Sequence, residues 1–159
     1  MNDGIIIRPM VAEDRAGIDT YFDRLNPEAK FLFNHEDCNR KRYHDYFDGK
    51  LTNFIPFVAE DTTNKMIAGV VFLSSAEWLV PLLGIGIDDA YAGRKLGERM
   101  VEFIHEYARS QGMGGIMLNV HPGNLRAQAL YQKMGYRHWG SSIQGQMLYI
   151  YRFPREISL

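Results

Sequence analysis

The chain is poor in cysteine, in net charge and in unbroken apolar stretches, and each shortage removes a class of protein. A single cysteine, Cys38, forbids an intrachain disulfide and fits a reducing compartment. That thiol falls at a charged helix start with no base beside it, which argues against a nucleophile. A formal net charge of −1 supplies no global basic field to gather nucleic acid or an anionic membrane. The longest apolar run, residues 79–87, is broken by Pro81, Gly84 and Gly86 and is too short to span a bilayer. No export signal opens the chain, so the expected location is cytoplasmic. Nucleotide motifs are missing as well. Gly84-x-Gly86 runs on to Asp89 where a dinucleotide fingerprint needs glycine, and no Gly-x-x-x-x-Gly-Lys-Ser/Thr loop occurs. The five histidines show no paired ligand spacing and there is no Cys-x-x-Cys, so no metal is expected.

What is present is an ordinary globular composition. With 46% hydrophobic and 23% charged residues over 159 positions, one domain spanning residues 1–159 and one core are expected. A β-branched run at 4–8 starts a strand and stops at Pro9. From Ala12 the spacing turns helical, with Ile18, Tyr21, Phe22 and Leu25 at i, i+3, i+4 and i+7, until Asn26-Pro27. Residues 28–35 suggest another short helical turn. A helix near 37–50 follows, and its basic run Arg40-Lys41-Arg42 reads as a solvated face. The period then falls to two, giving strands at 54–60 and 66–75 around a polar turn, and a central strand at 82–87. Glycines in that strand imply a bulge or a close backbone approach. A long helix near 94–111 buries Leu96, Met100, Val101, Ile104 and Ala108. A strand at 116–120, a helix at 125–134 capped by Asn124 and stopped by Gly135, and strands near 136–139 and 146–153 complete the chain. The fold class is mixed α/β, with a single sheet flanked by helices.

Two turns feed helix N-termini, which suits an anionic ligand held on backbone N–H groups. The first carries Ala92-Gly93-Arg94-Lys95-Leu96-Gly97. The second leads into Asn124, Ala127 and Tyr131, which share one helical face, followed by Gly135-Tyr136. Residues 82–140 resemble the acyl-CoA-binding core of the GNAT superfamily of N-acetyltransferases. The second signature of that family, Asn-x-x-Ala-x-x-x-Tyr with a following Gly-Phe/Tyr, stands complete. The first, Gln/Arg-x-x-Gly-x-Gly/Ala, is degraded: Ala92 replaces Gln or Arg, and Lys95 replaces glycine.

The resemblance implies a mostly antiparallel sheet and acetyl-CoA as cosubstrate. It implies pantetheine alongside Ile85, Gly86 and Ile87, and pyrophosphate at Gly93, Arg94, Lys95, Leu96 and Gly97. Asn124, Ala127 and Tyr131 would then border the ligand. The implied reaction is direct attack of an amine on the thioester, with a strand N–H on the carbonyl oxygen and Tyr131 as general acid. Asn119 stands where relatives carry an acid, which leaves Glu77 as the candidate base, with His121 and His35 behind it. Phe31, Phe33, Asn34, His35, Trp78 and Tyr149 are candidates for the acceptor pocket. The acceptor is a primary amine of a small molecule or peptide, the acyl group acetyl or longer, and the assembly a monomer or homodimer. The alternative is an acyl-CoA-binding sensor or interaction module without turnover.

Overall fold

In the computed structural model, which describes residues 3–25 and 36–154 and only the backbone of 36–39, the two hydrophobic periods become seven strands and four α-helices. The elements are β1 (Ile5–Pro9), α1 (Arg15–Arg24), α2 (Glu36–Phe47), β2 (Ile55–Asp61), β3 (Met66–Ser74), β4 (Leu82–Ile87), α3 (Leu96–Ser110), β5 (Gly115–Val120), α4 (Leu125–Lys133), β6 (Arg137–Ser141) and β7 (Met147–Arg152). The expected turn at 28–35, the Asn26-Pro27 stop and the Cys38 side chain lie outside the described residues. Helix onset at Ala12 is a 3-10 turn, Ala12–Asp14, before α1 proper begins.

The sheet has the order β1-β2-β3-β4-β5-β7-β6, antiparallel throughout except between β4 and β5. Alternation along its strands feeds a core on each face. Val58, Val70 and Phe72 pack with Ile18, Tyr21, Phe22 and Tyr43 beneath α1 and α2. Phe57, Val71, Leu83, Ile116 and Leu118 pack with the α3 stripe on the other face. All five residues of that stripe are buried. Two cores, one on each face, therefore replace the single core expected.

The feature that positions the site is the short partnership of β4 with β5. Their parallel register holds only at Leu82↔Met117 and Leu83↔Leu118. Beyond Leu83 the strands part, while β4 stays paired to β3 without a break as far as Ile87↔Gly69. No bulge therefore interrupts β4, and the register irregularities lie instead between β2 and β3 at Ala59/Glu60 and between β6 and β7 at His138/Gly140. The glycine at 84 answers to close approach: a Cβ there would sit 2.1 Å from Cζ of Phe72, whose ring lies over the strand. The start of α3 also moves from Arg94 to Leu96. Gly93 and Lys95 are left-handed, with φ of 79° and 57°, and a helix cannot run through them.

Candidate active site

The parting of β4 from β5 opens a cleft of about 870 Å³ that runs from the α1/α2 side to the first turns of α3 and α4. Along its β4 wall the backbone of residues 84–87 has lost β5 as a partner, so the outward-facing N–H and C=O groups form a usable edge. At its far end α3 begins without any side-chain cap, because its N-cap residue is Lys95 and lysine offers no acceptor. The first-turn N–H groups of α3 are thus left for an acceptor from outside, and the helix dipole favours an anion there.

The second helix is finished differently. Asn124 caps α4 by accepting the Ala127 N–H through Oδ1 at 3.1 Å, which leaves its side-chain NH2 as a donor. Ala127 keeps the helix face low beside the cleft. Leu130 packs so tightly on α3 that a Cβ at Gly97 would sit 3.0 Å from its Cδ2. The small residue at 97 therefore serves the helix contact as well as the cleft.

Tyr131 is only 5% exposed, and its ring packs 5.5 Å from that of Tyr136. Its hydroxyl has no hydrogen-bond partner among the described residues, and the side chain lines the cleft. Burial pushes the phenol well above its ordinary pKa, so it keeps its proton across the working range. Tyr136 stands behind it, hydrogen-bonded to Nε2 of His105 at 2.7 Å, and does not itself line the cleft.

Ile85, Gly86, Ile87, Gly93, Lys95, Leu96, Gly97, Asn124, Ala127 and Tyr131 are brought together around this one cleft. Two expected residues are not. The Arg94 guanidinium lies 5.1 Å from the centre of the Tyr91 ring, and Arg94 is absent from the lining. Glu77 borders a separate groove of about 610 Å³, with Asn53, Trp78 and Gln111. The connection carrying it precedes Leu82, at the end of β4 where β5 is still paired, whereas the strands part only beyond Leu83. The geometry gives Glu77 no access to the Tyr131 cleft.

The other base and pocket candidates divide. Nδ1 of His121 already accepts the Gly123 N–H at 2.9 Å, and Asn119 lines the cleft as a neutral amide. The acids lining the cleft are engaged: Asp88 with Arg24, Glu98 with Lys133, and Asp89 likewise not free. Trp78 belongs to the second groove, and Tyr149 is a core residue whose hydroxyl accepts from Gln132. Phe31, Phe33, Asn34 and His35 lie outside the described residues. Instead the α1/α2 end of the cleft is lined by Tyr21, Phe22, Arg42, Tyr43 and Phe72. Tyr21 and Phe22 obey helical spacing and Phe72 strand alternation whether they face a core or a cleft, and nothing in the local pattern separated Arg42 from its two basic neighbours.

Known proteins agree with this architecture. A sequence model of the Acetyltransferase (GNAT) family matches residues 18–136. No curated protein matches the chain. Among solved structures it is similar to ribosomal-protein-S5-alanine acetyltransferase from Vibrio fischeri, with 19% identity over 94% of this chain and 93% of that one and a TM-score of 0.73. It is similar to PaiA N-acetyltransferase from Thermoplasma acidophilum in complex with coenzyme A, with 15% identity, coverage of 94% and 99%, and a TM-score of 0.74. A domain from Methanocaldococcus jannaschii shares 19% identity, with coverage of 94% and 98% and a TM-score of 0.78. At such identities the structures speak for the fold alone. The family match, which takes in both helix N-termini and the parting strands, carries the assignment: the chain belongs to the GNAT acetyltransferase family.

Proposed function

We propose that the protein transfers an acetyl group from acetyl-CoA to the primary amine of a small molecule or peptide, by direct attack on the thioester. The observation that carries this reading is the Tyr131 hydroxyl, without a hydrogen-bond partner among the described residues, on a capped helix in a cleft whose other wall is the free edge of β4. The cosubstrate fits the residues present: the uncapped α3 turn suits pyrophosphate, with Lys95 adding charge, and the β4 edge suits the pantetheine amides. When bound, acetyl-CoA supplies an activated acyl group; the C–N bond forms, the C–S bond breaks, and the amine proton leaves to solvent.

The chain's own groups then have definite tasks. A backbone N–H of residues 84–87 polarises the carbonyl oxygen as charge develops on it. Tyr131 donates a hydrogen bond to the departing sulfur. A thiol titrates near 8.5, so a phenol raised above 10 is a poor full proton donor but a dependable hydrogen-bond donor to thiolate. Stabilisation of the leaving group, with protonation completed from solvent, is the role its environment supports.

Replacing Tyr131 by Phe should lower kcat by about a hundredfold, the usual scale of one acid–base group, while calorimetry shows CoA affinity within a factor of about three. Normal turnover by Tyr131→Phe would remove the residue from this role. A wild-type protein that binds CoA but consumes no thioester with any amine would be the acyl-CoA-binding module instead.

A further inference from the structure

Away from the cleft, the groove of about 610 Å³ that Glu77 borders gathers three features favourable to a cation, each from a different source. The first is Glu77 itself. It is the one charged residue in the lining, and among the described residues its carboxylate has neither an ion pair nor a hydrogen bond. Arg109, the basic residue in the last turn of α3, is committed elsewhere: it bonds Glu106 at 3.3 Å, lies 5.3 Å from the centre of the Phe153 ring, and does not line the groove. The second feature is aromatic surface. Trp78 is 52% exposed, and Tyr107, held edge-on 5.1 Å from the Phe57 ring, lines the same groove. The third is the end of α3. Gly112 and Met113 donate back to the Arg109 and Ala108 carbonyls, whereas the Gln111 carbonyl accepts no bond among the described residues. The C-terminus of this 15-residue helix therefore presents its negative dipole end to the groove, just as its N-terminus presents the positive end to the cleft.

The loop that brings Glu77 and Trp78 there is tied at both ends: the Ala76 N–H donates to the Asn53 carbonyl at 3.0 Å, and the Gly114 N–H to the Leu79 carbonyl at 2.7 Å. The groove thus stands formed before any ligand enters, and its volume falls within the range of small-molecule sites. We propose that it binds a small organic cation, a quaternary ammonium or guanidinium compound. Glu77 pairs with the charge, Trp78 covers the apolar side of the cation, and the side-chain oxygens of Asn53 and Gln111 accept N–H groups where the ligand has them. A hard divalent ion is disfavoured, because such ions take six or more oxygen ligands and the lining offers one carboxylate. An exposed ion pair is weak by itself, so the preference for a weakly hydrated cation rests on the indole beside the carboxylate. This site is separate from the Tyr131 cleft and does not depend on acetyl transfer.

The test titrates the full chain with choline and with methylguanidinium, each set against a neutral isostere: the alcohol with a quaternary carbon in place of the choline nitrogen, and methylurea. The readout is the indole N–H signal in nitrogen–proton NMR. The chain has two tryptophans, Trp78 and Trp139, so Trp78→Phe assigns both signals by the loss of one. At least one cation should shift the Trp78 signal saturably, with a Kd below about 1 mM, and leave the Trp139 signal in place. The matching neutral compound should bind about tenfold more weakly or not at all. Glu77→Gln should weaken the cation by about tenfold, and Trp78→Leu, followed by calorimetry, by about fivefold. Both side chains are exposed, so a thermal midpoint level with wild type shows that each variant keeps its fold. Equal binding of a cation and its neutral isostere, affinity unchanged in Glu77→Gln, signals of both tryptophans moving together, or no saturable shift with either cation would overturn the inference. None of these results bears on turnover of acetyl-CoA, which is measured separately.

Discussion

At the scale of single residues, Lys95 is the informative departure. Its φ of 57° is left-handed, at the position where the family pattern has glycine, so the chain keeps the turn's shape with a residue ill-suited to it. A side chain in that conformation costs roughly 1–2 kcal/mol. Glycine gives back part of that through roughly 0.5–1 kcal/mol of extra unfolded-state entropy. Lys95→Gly should therefore raise the thermal midpoint of the ligand-free protein by about 2 °C, since about 1 kcal/mol moves a domain of this size by roughly 2–4 °C. The same change should weaken CoA by about threefold and reduce the salt dependence of its binding, because one cation leaves the phosphate end. A flat midpoint argues against stored strain; an unchanged affinity at low salt argues against a phosphate contact.

At the scale of elements, the back of the site is a junction of α3 with β6 and β7. His105 of α3 is bonded to Tyr136 and stacked 4.6 Å from Tyr151 of β7. Burial, helped by Arg109, lowers its pKa to about 4. The folded imidazole is therefore neutral where the unfolded one, near 6.5, takes up a proton. Stability from this source is present above pH 6.5, falls as pH drops toward 4, and is lost below that. The full effect is roughly 3 kcal/mol at about 1.4 kcal/mol per pKa unit. Urea midpoints between pH 4 and 7 should fall more steeply with acid for wild type than for His105→Gln, and parallel curves would show that the imidazole is not sealed. This junction also shows what the sequence can reveal. The α3 stripe, the Asn124 cap and the Gly135 stop were readable because each is a local pattern with a local cause. The parting of β4 from β5 is a matter of pairing between strands 28 residues or more apart, and no spacing encodes it. Likewise Arg42 and Tyr43 obey a helical pattern whether they face a core or a cleft. Glu77 looked well placed only because distance along β4 is invisible until the strands are paired.

At the scale of the whole molecule, one cleft passes through the sheet where β4 and β5 separate, and its two ends have different chemistry. The α3/α4 end offers helix N–H groups without a side-chain cap, and the α1/α2 end is lined by the aromatic rings of Tyr21, Phe22, Tyr43 and Phe72 together with Arg42. In the proposed reaction an acyl donor and an acceptor enter from opposite ends and meet at the exposed edge of residues 84–87, and no acyl-enzyme is needed. The lining agrees: among the described residues no cysteine or histidine borders the cleft, and its acids, Asp88, Asp89 and Glu98, are engaged. That proposal requires a ternary complex, in which effective concentration would supply much of the rate. Initial-rate lines at varied acetyl-CoA and fixed acceptor levels should therefore intersect, and CoA formation should require the acceptor from the first turnover. Parallel lines, or a burst of CoA without acceptor, would demand a covalent intermediate and a nucleophile on the chain. Cys38 is the thiol available for that role, so Cys38→Ser should retain turnover within about a factor of two if transfer is direct.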